Sequence, residues 1–259
     1  MDLNLMQAKS KKITLGTKEW ADSNVNCYFG CSNNCRYCYA KKIAIRFKRK
    51  TEDTWKIMDP NTKNIKKNYG KRNGRVMFPT SHDITKESLN GCLIVLNKLI
   101  KAKNKILITT KPVFEIIKKI CHIFEKNKDL IQFRFTITSN NNNILKFWEP
   151  EAPKFEERIE ALKYAYMYGY RTSISIEPFL DKNPIPLIRV LIPYVTESIW
   201  IGKMNYIRIN KIPQNFKNYY RLIREANTKR NLKIILRNLN VFPESIIQIK
   251  DSIKNYLSN

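Results

Sequence analysis

Short runs rich in β-branched residues alternate with amphipathic helical segments from about residue 23 onward, and this alternation restricts the fold more than any other feature. Six runs have the composition and flanking residues of strands, namely residues 24–29, 75–78, 105–109, 132–137, 172–176 and 198–202. Strands that alternate with helices predict a parallel sheet with right-handed crossovers. We therefore predict an α/β fold built as an open or partial (β/α)6 barrel. A doubly wound sheet fits the same pattern.

The segments between the strands carry apolar residues at spacings of three and four. One predicted helix face consists of Leu89, Cys92, Leu93, Leu96 and Leu99. A second helix begins at Pro112, and a third ends at Gly169. In either fold the functional face lies where the strands end, and the first strand leads directly into a cluster of cysteines.

The domain organisation follows from the same pattern. We predict an N-terminal extension at residues 1–22, a core barrel at 23–205 and a C-terminal segment at 206–259 that completes or caps the barrel. Residues 51–74 are polar and rich in turn residues, and they are predicted to be an insertion. The sequence has no apolar stretch of about 18 residues and no secretory signal at its start, so we expect a soluble cytoplasmic protein that does not contact membranes.

The net charge of +26, from 48 Lys and Arg against 22 Asp and Glu, favours a polyanionic partner such as RNA or DNA. A compositional bias toward Lys, Asn, Ile and Tyr explains the charge equally well. The densest basic run, residues 40–50, follows the cysteines directly.

Four of the six cysteines lie in "VNCYFGCSNNCRYCYA", with three residues between Cys31 and Cys35 and two between Cys35 and Cys38. In a reducing compartment such a cluster predicts a metal site rather than disulfides. A structural zinc site usually needs a second close pair of ligands, and none follows in the sequence. Iron–sulfur clusters bind thiolates from a compact loop, and three thiolates leave one iron open. Cys92 and Cys121 are predicted to be core residues.

The stretch "GCSNNCRYCYA" resembles the cluster motif of the radical S-adenosylmethionine enzymes. "ILITTKP", "RFTITS" and "FWEPEAPKFEERIEALKYAYMYGYRTSISIEPF" follow in the order found in the branch that includes spore photoproduct lyase, over most of residues 20–205. The resemblance implies a partial six-unit barrel and a [4Fe–4S] cluster held by Cys31, Cys35 and Cys38. It also implies chelation of S-adenosylmethionine by the open iron, and reductive cleavage to methionine and a 5′-deoxyadenosyl radical. The electron donor would be a flavodoxin or ferredoxin.

The resemblance assigns five further residues to the cofactor. Tyr37 matches an aromatic position beside the adenine, and Lys111 matches a lysine that pairs with the methionyl carboxylate, although a surface lysine explains it too. Thr136 matches a serine that hydrogen-bonds the cofactor, although packing on a strand explains a threonine there equally well. Ser81 matches a polar position near the amine, but the glycine-glycine-glutamate motif common there is absent. Glu177 is placed to reach the ribose or the substrate, or to pair with a nearby lysine.

Cys27 lies four residues before the first ligand and on the predicted strand, so we interpret it as a packing residue. A role as a thiol hydrogen donor is the alternative. The lyase has a hydrogen-donating cysteine where this chain has Pro79, so thymine-dimer repair is not expected.

Three functions therefore stay open. The favoured one is a radical enzyme that acts on a nucleic acid or nucleotide. The others are a radical enzyme for a small molecule or peptide, and a non-catalytic iron–sulfur or zinc module that binds RNA. The oligomeric state is not indicated by the sequence.

Overall fold

The structure is a computed structural model that describes residues 16–258, so the first 15 residues of the predicted N-terminal extension lie outside the described part. The strands are β1 Ser23–Asn24, β2 Tyr28–Phe29, β3 Asp59–Pro60, β4 Arg75–Phe78, β5 Lys105–Thr110, β6 Ile131–Thr136, β7 Arg171–Ile176, β8 Ile199–Ile201 and β9 Ile247–Ile249. The helices are α1 Tyr39–Arg46, α2 Thr62–Lys66, α3 Leu89–Lys101, α4 Phe114–Ile123, α5 Asn142–Trp148, α6 Phe155–Met167, α7 Ile185–Leu191, α8 Lys217–Ala226, α9 Lys229–Asn238 and α10 Asp251–Ser258.

Seven strands form one curled sheet in the order β1-β4-β5-β6-β7-β8-β9, and every neighbouring pair is parallel. The order follows the chain without the reversal that a doubly wound sheet requires. The prediction of a partial barrel is therefore confirmed, and the doubly wound alternative is wrong.

The main core lies between the sheet and the helices that cover its outer face. Phe133, Phe135 and Ile174 point outward from the strands and are fully buried. On α3, Cys92 and Leu96 are fully buried as the helical spacing predicts. The third predicted helix is α6, and Gly169 follows it with φ +76°, a conformation that glycine adopts without the Cβ penalty. No helix within residues 16–258 has the length and apolar character that crossing a bilayer requires.

The first predicted strand is two strands in different sheets. Ser23–Asn24 pairs with β4 in the barrel, whereas Tyr28–Phe29 pairs antiparallel with β3, which belongs to the insertion predicted at 51–74. The Cys27 carbonyl accepts a hydrogen bond from Asn61 N at 2.8 Å and continues this second pairing. The chain thus leaves the barrel sheet before the cysteines, and from Cys27 to Phe29 its backbone pairs with the insertion instead.

The C-terminal segment supplies a strand that the sequence reading missed. Ile247–Ile249 pairs with β8 at the edge of the barrel sheet. The apolar run "LKIIL" of this segment lies in α9 and not in a strand. A three-residue strand has no detectable period of its own, so only its pairing identifies it.

Gly30 marks a close approach between the insertion and the cysteine loop. Its φ is +90°, and a Cβ built on it would lie 2.2 Å from the Ile57 carbonyl oxygen and 2.7 Å from that of Trp55. Both obstacles are backbone atoms, which do not move aside as a flexible side chain does. The insertion is therefore seated directly against the loop.

Replacing Gly30 by alanine will lower the free energy of unfolding by about 2–5 kcal/mol, from left-handed strain of about 1–2 kcal/mol plus overpacking of about 1–3 kcal/mol. Urea-induced unfolding measures the change. Gly70→Ala is the matched control, because a Cβ there meets nothing within 4 Å and needs no positive φ. An equal loss in both variants would contradict the close approach at Gly30.

Candidate functional site

The cysteine loop follows β2 and is closed by its own backbone and by the insertion. Cys31 N donates to the Trp55 carbonyl at 3.0 Å, and Asn34 N donates to the Cys31 carbonyl at 3.2 Å. Asn34 has φ +46°, a turn conformation that asparagine tolerates. Cys38 is the N-cap of α1, and its sulfur accepts from Lys41 N at 3.4 Å. The loop therefore holds its three cysteines at the C-terminal edge of the barrel sheet.

The three thiols lie in a shielded environment. Cys31 and Cys35 are buried, Cys38 is half-buried, and all three are free. Burial raises the pKa of each, and the negative charge of Asp83 raises the pKa of Cys31 and Cys35 further. Thiolates without a bound metal are thus disfavoured here. A bound metal cation with the sulfurs as ligands would offset the free-energy cost of burying their negative charge.

The residues present fit an iron–sulfur cluster. The thiols are soft ligands, the Cys31 sulfur accepts from Asp83 N at 3.4 Å, and backbone donors of this kind stabilise thiolate ligands. The Trp55 ring packs beside Cys31, and its Nε1 is buried with no hydrogen-bond partner among residues 16–258. Within those residues no three His, Cys, Asp or Glu side chains are grouped to hold a single metal ion. A cluster does not require such a group, since its thiolates bind different irons.

Cys27 belongs to a different set of contacts. It is fully buried in the main core, with its sulfur 3.6 Å from that of Cys92 and 4.0 Å from His82 Nε2. The hydrogen bond with Cys92 is the main cause that lowers the pKa of Cys27 to about 6, with burial opposing it. The packing interpretation of Cys27 agrees with this position, and its partners were not foreseen.

Lys111 and Asp83 form a buried ion pair beside the cysteine loop, with Nζ and Oδ2 3.6 Å apart. Asp83 Oδ1 accepts from Lys111 N at 2.8 Å, and Oδ2 accepts from Asn33 Nδ2 at 2.8 Å. Burial opposes the charge of Lys111, but the negative groups around it, first Asp83 and the Cys35 sulfur, together hold the pKa of Lys111 well above its ordinary value. Lys111 is therefore buried at the site and is not a surface lysine.

Tyr37 is held by a second buried group of charges. Its hydroxyl donates to Glu149, which also accepts from Thr138 Oγ1 at 2.7 Å. Glu149 pairs with Arg158 at 2.5 Å, and neither side chain is exposed. The Lys111 ammonium lies 5.7 Å from the centre of the Tyr37 ring, so the two groups of charges adjoin. Tyr37, which belongs to the cysteine loop, is thus held against the end of α5.

The other three predicted site residues are distributed more widely. Ser81 is half-buried, and its backbone N donates to Asn26 Oδ1 at 2.9 Å. Thr136 is half-buried at the C-terminal end of β6. Glu177 lies 3.8 Å from Lys250, a lysine in the C-terminal segment, and burial raises its pKa. The structure therefore joins Lys111 and Tyr37 to the cysteines, and it places Glu177 in a separate charged group with Lys250 and Glu19.

Asp83, Glu149, Arg158 and Trp55 were not identified from the sequence. Asp83 lies two residues after Ser81, and Glu149 and Arg158 lie in the "FWEPEAPKFEER" stretch that carries the resemblance. The available signal was an acidic residue in the loop that follows the second predicted strand. Nothing in the sequence distinguishes Trp55 from other aromatic residues.

Comparisons with known proteins bear on this arrangement. No family model matches the chain. Uncharacterized protein MJ0683 of Methanocaldococcus jannaschii is 26% identical over 256 residues, which covers 97% of this chain and 94% of that protein. Uncharacterized protein ORF301 of Acidianus two-tailed virus is 26% identical over 178 residues, 64% of this chain and 58% of that protein.

Solved structures resemble the whole barrel. Streptococcus suis SuiB bound to S-adenosylmethionine aligns with a TM-score of 0.52 at 14% identity, over 88% of this chain and 46% of SuiB. A mutant of spore photoproduct lyase with bound AdoMet and dinucleoside spore photoproduct aligns with a TM-score of 0.51 at 13% identity, over 88% of this chain and 80% of the lyase. A second lyase mutant aligns with a TM-score of 0.53 over 93% of this chain and 79% of the lyase. This chain therefore shares the partial-barrel fold of SuiB and spore photoproduct lyase.

Proposed function

We propose that this protein is a radical S-adenosylmethionine enzyme in the cytoplasm, with a nucleic acid or nucleotide as its substrate. The observation that carries the proposal is the juxtaposition of three free cysteines with the buried pair Asp83–Lys111 at the C-terminal edge of a partial barrel. Soft thiols suit an iron–sulfur cluster, and the adjacent pair of opposite charges suits an amino acid zwitterion.

Each residue has a defined task in this proposal. Cys31, Cys35 and Cys38 would hold the cluster. When bound, a [4Fe–4S] cluster would pass one electron from a flavodoxin- or ferredoxin-type reductant to the sulfonium of S-adenosylmethionine, giving methionine and a 5′-deoxyadenosyl radical. Lys111 would pair with the methionyl carboxylate and Asp83 with the amine. The ion pair that the two residues make with each other would be replaced by these contacts with the ligand. Tyr37, whose hydroxyl is bound by Glu149, would present its ring to the adenine.

The net charge of +26 supports an anionic substrate, because a polyanion gains from releasing its counterions to a basic protein. The spore photoproduct lyase structures include one with a bound dinucleoside, which supports the same substrate class. With a small molecule or peptide as the substrate, the charge would be due to compositional bias alone.

The test is anaerobic reconstitution with iron and sulfide, followed by dithionite and S-adenosylmethionine. We expect about four irons per chain and formation of 5′-deoxyadenosine and methionine. Adding candidate RNAs, DNAs or nucleotides should increase deoxyadenosine formation for the correct substrate class. Reconstituted protein that holds a cluster but yields no deoxyadenosine would overturn the enzymatic proposal.

Replacing Asp83 by asparagine will raise the KM for S-adenosylmethionine by about 10- to 100-fold with a smaller change in kcat, because it removes a charge that would bind ground state and transition state alike. Asn retains the shape and the acceptor for Lys111 N. Glu87→Gln is the matched control, since Glu87 is also acidic and close in sequence but lies on the surface, bound to Ser32. Equal KM values for Asp83→Asn and the wild type would contradict the role of Asp83.

A further inference from the structure

The acidic residues of this chain are unevenly distributed. Residues 23–50 and 198–224 contain thirteen Lys and Arg but none of the 22 Asp and Glu. The first segment contains β1, the cysteine loop and α1, and the second contains β8 and most of α8. In a parallel barrel the segments that follow strands emerge at the same edge, so the fold gathers both at the mouth of the site.

The two segments contact each other beside the cysteine loop. Lys42 Nζ on α1 donates to the Tyr206 carbonyl at 2.9 Å. The Arg36 guanidinium lies 4.7 Å from the centre of the Phe216 ring. Tyr37 packs against the same apolar cluster as Ile212. The two acid-free segments therefore adjoin, and we call their combined surface the mouth surface. Lys41 and Lys50 of the first segment are paired with acidic residues of the insertion, Glu52 and Asp59.

The mouth surface includes a cleft of about 800 Å³. Its basic side chains are exposed, and they are Lys211, Lys217, Arg221 and Arg224. Asn210, Gln214 and Asn218 add neutral hydrogen-bonding groups. Of the four basic residues, Arg221 is paired with Glu225. This lining suits phosphate groups better than acyl chains.

Two aromatic rings on the mouth surface are exposed and have cations beside them. Phe47 is 59% exposed, with the guanidinium groups of Arg46 and Arg49 at 5.8 and 5.4 Å from the ring centre. Tyr206 is 77% exposed, with Lys42 at 5.1 Å. Exposed rings among basic residues are the usual means of stacking unpaired bases while binding the adjacent phosphates.

We propose that the mouth surface binds single-stranded nucleic acid, with the cleft contacting phosphates and with Phe47 and Tyr206 stacking on bases. The proposal rests on the proposed function, because it names the form of the substrate and the residues that hold it at the site. A duplex keeps its bases paired and offers no free ring face to Phe47 or Tyr206. An anionic membrane offers phosphates to the cleft but no bases.

The test measures binding of fluorescent single-stranded RNA and DNA 20-mers to the holoprotein, without reductant, over a range of salt concentrations. We expect the logarithm of affinity to fall with the logarithm of salt with a slope of about −3, and duplexes of equal length to bind at least about tenfold more weakly. The RNA and DNA arms show which polymer is preferred.

Two sets of variants locate the binding. The triple variant Lys211→Gln, Lys217→Gln, Arg224→Gln should make the slope shallower by about 2, at about 0.7 per lost phosphate contact. Phe47→Leu with Tyr206→Leu should weaken binding at least about tenfold with an unchanged slope. The control Lys101→Gln, Lys119→Gln, Lys126→Gln removes three exposed lysines away from the mouth, two of them at the opposite edge of the sheet.

Equal effects of the control and cleft variants, binding that prefers duplexes, or binding to phosphatidylserine vesicles in preference to oligonucleotides would each overturn the proposal. Cleavage of S-adenosylmethionine without nucleic acid is measured in parallel on the same proteins. That activity should persist in the cleft variant, so failure of the mouth surface is distinguishable from failure of the radical chemistry.

Discussion

Replacing Cys35 by alanine will remove the cluster and reduce deoxyadenosine formation at least about a hundredfold. Changes to groups that merely support a metal ligand cost about 10- to 100-fold, and loss of a ligand costs more. Cys35 is buried in the loop. Among the described residues, the loop has no fourth cysteine that would replace it as a ligand. Iron and sulfide content per chain, together with the deoxyadenosine assay, measures the effect.

Cys27→Ala is the matched control for that experiment. Cys27 lies in the same stretch of sequence, but its sulfur contacts Cys92 and His82 in the main core. The variant should retain its iron and most of its activity. If Cys27→Ala loses the cluster and Cys35→Ala keeps it, the assignment of the three ligands is wrong.

Replacing Arg158 by alanine will lower the free energy of unfolding by about 3–5 kcal/mol, because it leaves Glu149 charged and buried without a counter-ion. Both side chains are fully buried in the wild-type protein. Urea-induced unfolding at neutral pH measures the loss. Arg221→Ala is the control, since it breaks an exposed pair with Glu225 worth about 0–1 kcal/mol.

The same pair gives stability a pH dependence of definite sign. Burial opposes the charge of Glu149, but Arg158 and Lys111, together with the hydrogen bonds from Tyr37 and Thr138, hold the pKa of Glu149 below its ordinary value. A carboxyl whose pKa is lower in the folded state stabilises the protein above its unfolded pKa, and that contribution is lost as the pH falls. Wild-type stability should therefore decrease as the pH drops below about 4, and a flat profile there would contradict the ionised pair.

Position along the chain was sufficient to predict several features of the site. The spacing of Cys31, Cys35 and Cys38 places them in one turn whatever the rest of the protein does. The family resemblance singled out Lys111, which directly follows the third barrel strand, β5, and residues that follow parallel strands lie at the mouth of a barrel. These predictions depend on residues that are close together, or on a strand whose own pattern is visible.

The partners of those residues were not predictable in the same way. Tyr37 meets Glu149 across 112 positions, and the Asp83 side chain meets the Lys111 backbone across 28. Trp55 was treated as part of a polar insertion, yet it is 2% exposed and packs on Cys31. A charged or aromatic residue carries no local mark that tells whether it lies on the surface or in such a group.

The amino-acid sequence alone established the alternation of strands and helices, the three thiols in one loop and the large positive charge. These features arise from periodicity, spacing and composition, which are local or additive along the chain. Only the tertiary structure determined which charged residues form pairs, which cysteine lies away from the other three, and where the acid-free segments lie relative to the site. Those outcomes depend on the curvature of the sheet and on contacts between distant segments, which form only when the barrel buries its core.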